Sequence, residues 1–216
     1  PILPGGSSIL PKTETPIEMA AEVVEITVRE STPADNELVT LTPDYYGRWS
    51  LDTWYPAVAE VSADFDMFNP TDQAIEMLVW FPLASALDTA DWALNPEEIV
   101  PRLSAFQVSA NGTDLATTEV ELPNPQGSAF LPLPWASFTV RFPALEHTHI
   151  HVAYQLPLAP AIKGNEMILY YIFQTGAGWA GSIGQADLII NLPYPASAAT
   201  LSGMAPAGLH LPYYSI

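Results

Sequence analysis

The chain of 216 residues is 49% hydrophobic and strongly acidic, with 24 acidic residues, 6 basic residues and a net charge of −18. Contacts to phosphate groups need Lys and Arg, so this charge argues against nucleic acids and anionic lipid surfaces as partners. Cysteine is absent, which excludes disulfides, thiolate metal ligands and a cysteine nucleophile. No apolar run is long enough to form a membrane-spanning helix.

Proline is the second compositional signal, because 22 prolines interrupt the chain every few residues and argue against long helices. The apolar segments are rich in Val, Ile, Phe and Tyr, which favour strands. The sequence therefore predicts an all-β protein, an antiparallel β-sandwich of about nine or ten strands.

The predicted domain organisation has three parts. We expect a Pro/Gly/Ser-rich arm or linker over residues 1–17, the sandwich over 18–195, and an extended tail over 196–216 from which the polypeptide could continue. The first residues, PILPGGSS, indicate a mature or trimmed N-terminus, and the arm is expected to lie along a sheet edge, its own or a neighbour's.

The first strands are marked by alternation of apolar and polar residues. Over Ala21–Arg29, the residues Val24, Ile26 and Val28 share one face. Over Ala57–Phe68, apolar residues alternate with Glu, Ser and Asp in the same way. This period of two is typical of a strand with one buried face.

An Asn-Pro turn after Ala57–Phe68 predicts a hairpin with a second strand that begins at Ile75. The register that brings the two apolar faces together pairs Met67 with Ile75. The same register places Asp66 opposite Glu76 on the polar face.

Two further hairpins are predicted later in the chain. The Asn-Gly dipeptide at 111–112 joins Leu103–Ala110 to Thr113–Leu122 and is a strong hairpin signal. Matching alternation then predicts that Trp135–Phe142 pairs with His147–Leu156.

The last predicted hairpin joins Met167–Thr175 to Gln185–Leu192 through a Gly-rich loop. In the first of these strands, Met167–Phe173 contains no polar residue, which predicts that this run is covered on both faces. The loop matches the G-x-G-x-x-G pattern, but a strand follows it where a dinucleotide site requires a helix. We expect glycines at positive φ and Trp179 packed back onto the sheet.

Three histidines at a spacing of two, His147, His149 and His151, form the sharpest candidate site. This spacing places all three imidazoles on one face of a strand, as in His-X-His sites for zinc or copper. The opposite face is apolar, so the imidazoles are expected to face solvent. Arg141 is expected opposite His149, where its charge would oppose a metal. The alternatives are a polar solvated face, adventitious metal binding and a metal-dependent enzyme.

A second candidate is acidic, because Asp64, Asp66 and Glu76 would share the polar face of the predicted hairpin, with Asp72 in its turn. Like charges that face each other on a sheet repel, and a bound Ca²⁺ would relieve this repulsion. The alternative is a set of solvated carboxylates.

A loop-like segment carries five aromatic residues. As a contact surface they would bind sugars or protein, and as a plug they would close one end of the sandwich. These residues are Tyr45, Tyr46, Trp49, Trp54 and Tyr55.

Several motifs resemble a family of exported bacterial β-rich proteins that carry a domain of unknown function. The resemblance rests on the turn at Asn69, the strand that ends in Phe81-Pro82, and the loop from Thr175 to Gly184 in the pattern TG-x-x-W-x-G-x-IG. It covers residues 57–193. It implies an extracytoplasmic domain, often tethered to the cell envelope, and it supplies no catalytic residues.

These observations predict a non-catalytic extracytoplasmic module that has a structural or protein-interaction role in an envelope, surface layer, filament or membrane complex. We expect protein subunits as partners, either further copies of this chain or other members of an envelope complex. No cofactor is expected, unless the acidic candidate site binds calcium or the histidine candidate site binds zinc. The alternatives are a carbohydrate-binding module that uses the loop aromatics, and a metal-dependent enzyme built on the histidine strand.

Overall fold

The computed structural model describes residues 9–37, 56–83, 103–122, 133–158 and 178–196. Within these ranges the chain forms ten strands and one short helix, which confirms the all-β prediction. No helix in the same ranges is both long and apolar enough to cross a membrane. The elements in chain order are β1 (Leu10–Pro11), β2 (Glu18–Glu30), α1 (Pro33–Glu37), β3 (Ala57–Phe68), β4 (Ile75–Pro82), β5 (Ser104–Ala110), β6 (Thr113–Asp114), β7 (Thr118–Leu122), β8 (Leu133–Phe142), β9 (His147–Leu158) and β10 (Gln185–Asn191).

The described strands form two sheets that enclose one core. The four-stranded sheet has the order β1-β4-β8-β7, and the six-stranded sheet has the order β10-β2-β3-β9-β5-β6. All pairs are antiparallel except β10 with β2, which is parallel. The predicted sandwich is therefore confirmed, with one parallel pair that the prediction did not include.

The core contains the apolar faces that alternation predicted. On β3 and β9, Phe65 and Ile150 are opposite each other and fully buried, and Phe138 on β8 is buried in the other sheet. The sheets touch through aromatic rings, since the centroids of Phe81 on β4 and Tyr154 on β9 are 5.7 Å apart. The long strands β2, β3 and β9 thus each place one face in the core and turn their alternate residues outward.

The predicted pairing of Met67 with Ile75 is wrong, because β3 and β4 belong to different sheets. In the structure β3 pairs with β2 and β9, and Met67 lies opposite Met19 and Thr148. β4 pairs with β1 and β8, and Ile75 lies opposite Phe142. Alternation requires only that apolar faces meet, and in a sandwich they meet across the core as readily as side by side.

The predicted hairpin of Trp135–Phe142 with His147–Leu156 is wrong for the same reason, since β8 and β9 also lie in different sheets. The turn between them contains Leu145, which has a φ of 56° and donates its amide to the Thr71 carbonyl at 3.0 Å. The two crossing turns, one after β3 and one after β8, therefore lie side by side at one end of the sandwich.

Asn69 joins these two turns through both ends of its buried side chain. Its Nδ2 donates to the carbonyl oxygens of Gln73 at 2.8 Å, Phe142 at 3.1 Å and Pro143 at 3.0 Å. Its Oδ1 accepts from the Thr71 amide at 3.1 Å and from the Thr71 hydroxyl at 2.8 Å. The amide side chain supplies partners to backbone groups that the change of sheet leaves without a strand neighbour.

The Asn-Gly hairpin is confirmed, but it is short. Asn111 and Gly112 have φ values of 49° and 75°, the double positive φ of a type I′ turn, and Ala110 pairs with Thr113. The predicted strand Thr113–Leu122 is divided, because its second half, β7, leaves the hairpin and pairs with β8 in the other sheet.

The N-terminal arm and the Gly-rich loop close the sandwich together. β1 lies along the edge of β4, as the prediction allowed, with Leu10 opposite Trp80. Trp179 is buried as predicted, and its Nε1 donates to the Ile9 carbonyl at 2.9 Å. Gly181 has a φ of 74°. The expected partner of β10, Met167–Thr175, lies outside the described residues.

Candidate functional site

The outer face of the six-stranded sheet carries a row of acidic and histidine side chains on β3 and β9. We call it the Asp–His row and define it as Asp64, Asp66, His147, His149 and His151. The register places Asp64 opposite His151 and Asp66 opposite His149. The alternate residues of both strands point into the core, so the predicted solvent-facing position of the three imidazoles is confirmed.

The carboxylates of the Asp–His row engage the histidines unequally. His147 Nδ1 lies 2.8 Å from Asp66 Oδ1, and His151 Nδ1 lies 2.9 Å from Asp64 Oδ1, both at hydrogen-bond distance. His149 Nδ1 lies 3.7 Å from the same Asp66 oxygen, beyond hydrogen-bond distance. Its side chain is 73% exposed, against 49% for His147 and 44% for His151. His149 is therefore the imidazole that solvent reaches most freely.

Neighbouring elements hold the backbone of this row in place. The Asn111 side-chain oxygen accepts from the His149 amide at 2.9 Å, and the Asn111 amide donates to the His149 carbonyl at 2.8 Å. The His147 ring also lies against Phe68, with centroids 4.8 Å apart. The central histidine is thus clamped by the β5–β6 turn, and its neighbour rests on an aromatic ring.

Farther along the same face, Arg29 forms a small ion cluster with two carboxylates. It contacts Asp35 at 2.8 Å and Glu60 at 2.7 Å. Asp35 also accepts from the Thr32 amide and the Thr32 hydroxyl, both at 2.7 Å. The hydrogen bonds from Arg29, followed by those from Thr32, hold the pKa of Asp35 well below its usual range. The hydrogen bonds to Asp35 and Glu60 raise the pKa of Arg29.

The predicted calcium constellation is not assembled, because its register was wrong. Glu76 lies on β4 opposite Arg141, and Asp66 lies on β3 in the other sheet. Asp72 is an exposed residue of the turn between these strands. No group of three or more His, Asp or Glu side chains in the described ranges has the arrangement of a metal site.

The expectation that Arg141 faces His149 was also wrong. Arg141 pairs with Glu76 on the four-stranded sheet, while the neighbours of the Asp–His row on β2 and β5 are Ala21, Val23 and Ser109. None of these three side chains carries a charge. The positive charge of Arg141 therefore does not oppose the binding of a cation at the histidines.

The five loop aromatics proposed as an interaction surface lie outside the described residues. They are Tyr45, Tyr46, Trp49, Trp54 and Tyr55.

Glu22 and Trp135 are buried side chains with polar atoms that were not singled out from the sequence. Glu22 lies fully buried on the core face of β2, and the signal was its position in the same alternating row as Val24. Burial, followed by the charge of Glu22, raises the pKa of Tyr154. Trp135 packs with Trp80 on the outer face of the four-stranded sheet, and its buried Nε1 has no hydrogen-bond partner.

The chain matches no protein-family model and no curated protein, which is consistent with its resemblance to proteins of unknown function. Among solved structures it is similar to a candidate nutrient-binding protein from Legionella pneumophila, with 17% identity and a TM-score of 0.61 over 88% of this chain. The chain spans 55% of the length of that protein. At this identity the similarity establishes a shared fold only.

Two M1 zinc metallopeptidase structures are also similar over 72% of the chain and 23% of their own length. One is from Deinococcus radiodurans, with 9% identity and a TM-score of 0.31, and the other has 11% identity and a TM-score of 0.30. At these TM-scores the similarity supports no statement about this chain.

Proposed function

We propose that this chain is a non-catalytic, extracytoplasmic module that binds another protein through β10 and the adjoining part of β2. The observation that carries the proposal is aliphatic exposure on β10, where Ile189 is 45% and Ile190 is 40% exposed. These neighbours point to opposite faces, so the strand presents aliphatic surface on both sides. Aliphatic surface on a strand at the end of the described order is typical of a contact site for another protein.

The residues around the two isoleucines are aliphatic or acidic. We define the β10 surface as Val23, Glu25, Asp187 and Ile189 on the outer face of the sheet, together with Ile190 on the opposite face of the same strand. Val23 lies opposite Asp187, and Ile189 lies opposite Glu25. Val23 is also exposed. Aliphatic side chains therefore alternate with carboxylates over two neighbouring strands.

The partner that fits this surface is a protein with an aliphatic patch bordered by Lys or Arg. Opposite charges at the border would set its orientation and increase the rate of association. A second copy of this chain fits less well, because each copy carries a net charge of −18 and the two would repel.

The other parts of the proposal have separate support. The extracytoplasmic location is supported by the resemblance carried by the strand end at Phe81-Pro82 and the loop around Trp179. The sequence contains no cysteine nucleophile and no G-x-S-x-G motif, which favours a role without catalysis. A fold shared with a candidate nutrient-binding protein is compatible with a role in binding.

The test compares Ile189→Asp with Leu145→Asp. The control adds the same charge at an exposed leucine in the turn between β8 and β9, and Leu145 is 62% exposed. Each tagged chain is purified under native conditions from its own organism, and the mass of the complex is measured by light scattering after size exclusion. We expect one partner at fixed stoichiometry with the unmodified chain and with Leu145→Asp, and its loss with Ile189→Asp.

Three outcomes would contradict this proposal. They are a monomer in every preparation, an assembly made only of copies of this chain, and a partner that Ile189→Asp retains. The second outcome would favour the homo-oligomeric alternative.

A further inference from the structure

The Asp–His row gathers two imidazoles around one carboxylate oxygen. Asp66 Oδ1 lies 2.8 Å from Nδ1 of His147 and 3.7 Å from Nδ1 of His149. His151 is directed elsewhere, because its Nδ1 lies 2.9 Å from Asp64 Oδ1. The row therefore divides into a group of two histidines with Asp66 and a separate pair of His151 with Asp64.

The contact with Asp66 determines which nitrogen of His147 is free. A carboxylate only accepts hydrogen bonds, so the Nδ1 that contacts it carries the proton. In the neutral ring the lone pair is then on Nε2. A ring N–H donated to a carboxylate is the usual companion of a histidine that ligates a metal through its other nitrogen.

We propose that His147 and His149 bind a divalent transition-metal ion such as Zn²⁺ or Cu²⁺ on the outer face of β9. Asp66 orients the His147 ring and supplies compensating negative charge, and water completes the coordination. Imidazole nitrogen is a preferred ligand of both ions. This site is separate from the β10 surface, and the inference does not depend on the proposed protein-binding function.

The spacing and the exposure of the pair are suitable for an ion. Residues two apart on a strand are about 7 Å apart along one face. Two nitrogens that share a zinc ion are about 3.3 Å apart, given zinc–nitrogen bonds of about 2.0–2.1 Å. A tilt of the two imidazole rings toward each other brings their nitrogens from the spacing of the strand to the distance that a shared zinc ion requires. Both rings are about half exposed or more, so an ion can enter directly from solvent.

A two-histidine site also agrees with the remainder of the described structure. No set of three or more ligating side chains is assembled in the described ranges, so the protein would supply two ligands. The row has uncharged neighbours on β2 and β5, and the Arg141 that was expected to repel a cation lies in the other sheet. The net charge of −18 further favours cation binding.

The simplest alternative is a polar row that binds no specific ion, and His151 provides the matched control. It lies on the same face of the same strand and contacts a carboxylate in the same way, but outside the proposed pair. The experiment is isothermal titration of the full chain with ZnCl₂ in 0.15 M salt, where nonspecific attraction is screened. The variants are His147→Ala, His149→Ala, His151→Ala and Asp66→Asn, each checked for folding by circular dichroism.

We expect one zinc ion per unmodified chain and per His151→Ala chain, with affinities within about twofold. His147→Ala and His149→Ala should each lose at least tenfold in affinity, and Asp66→Asn about tenfold, the loss typical when a carboxylate partner of a ligating histidine is removed. The proposal is overturned if the unmodified chain shows no saturable binding, or if His151→Ala weakens binding as much as His147→Ala does. Equal affinities for all four variants would overturn it as well.

Discussion

At the scale of single residues, Asn69 links two turns that are distant in sequence. It is fully buried, and it uses both a donor and an acceptor to join the turn after β3 to the turn after β8. From the sequence, Asn69 is recognisable as a turn residue, but its contacts with the distant turn are not. Its function in the fold depends on Phe142 and Pro143, more than 70 positions away in the chain.

The change Asn69→Asp tests this role, because it keeps the oxygen that Thr71 contacts and replaces the nitrogen that donates to three carbonyls. A buried carboxylate would then face carbonyl oxygens, so we expect a loss of about 3 kcal/mol in the free energy of unfolding. Urea unfolding followed by circular dichroism measures it.

The matched control for this prediction is Asn111→Asp. Asn111 uses its side-chain oxygen to accept from His149, and a carboxylate retains that function. The control should change the free energy of unfolding by less than about 1 kcal/mol. Similar losses for the two variants would contradict the role assigned to the Asn69 nitrogen.

The pH dependence of stability is expected to include a term from Asp35. Its pKa is depressed in the folded chain, so its contribution is present above the ordinary pKa of about 3.9 and is lost as the pH falls through and below that value. Asp35→Asn should lower the free energy of unfolding by about 1 kcal/mol at pH 7, a modest value because the ion cluster is partly exposed.

Urea unfolding of both chains at pH 7 and pH 3 measures this term. The difference between the two chains should be smaller at pH 3. A difference that stays constant, or that grows at the lower pH, would contradict the assignment to Asp35.

At the scale of elements, β3 shows how one strand serves two environments. Phe65 is fully buried against the core, and the next residue toward the N-terminus, Asp64, points outward to His151. The two side chains are neighbours in sequence and lie on opposite faces, as the period of two requires. The strand is central in the described six-stranded sheet, between β2 and β9.

The two faces of β3 should therefore respond very differently to truncation. Phe65→Ala removes a buried ring and leaves a cavity, so we expect it to lower the free energy of unfolding by about 3–5 kcal/mol. Asp64→Ala removes an exposed pair and should change it by less than about 1 kcal/mol. Urea unfolding of both variants measures the difference, and comparable losses would mean that Phe65 is not the core residue of this pair.

The faces of β3 and β9 were accessible from sequence, and the Asp–His row was therefore partly predictable. Alternation placed Asp64 and Asp66 on one outward face and the three histidines on another. It did not indicate that these two faces are adjacent. The pairing of β3 with β9 joins residues about 80 or more positions apart, and Asp66 and His147, whose side chains are in contact, are 81 positions apart.

At the scale of the whole molecule, three connections pass from one sheet to the other at places where the sequence predicted a hairpin or an unbroken strand. They follow β3, β6 and β8. Each crossing moves the next strand to the opposite side of the core, so strands that are consecutive in sequence face each other and do not hydrogen-bond. The four- and six-stranded sheets are the result, with aromatic contacts such as Phe81 with Tyr154 between them.

The amino-acid sequence by itself determined the all-β class of the protein, the position of most described strands and the buried face of those with clear alternation, β2, β3, β4, β8 and β9. Composition and the period of two carry this information, because burial depends on which side chains are apolar. Strand partners were decided only by the tertiary structure. An apolar face is satisfied equally by a neighbour in the same sheet and by a sheet across the core, and the choice depends on distant groups, such as the carbonyls that Asn69 holds. For this reason the histidines were predictable as outward residues, whereas their proximity to Asp64 and Asp66 emerged only from the fold.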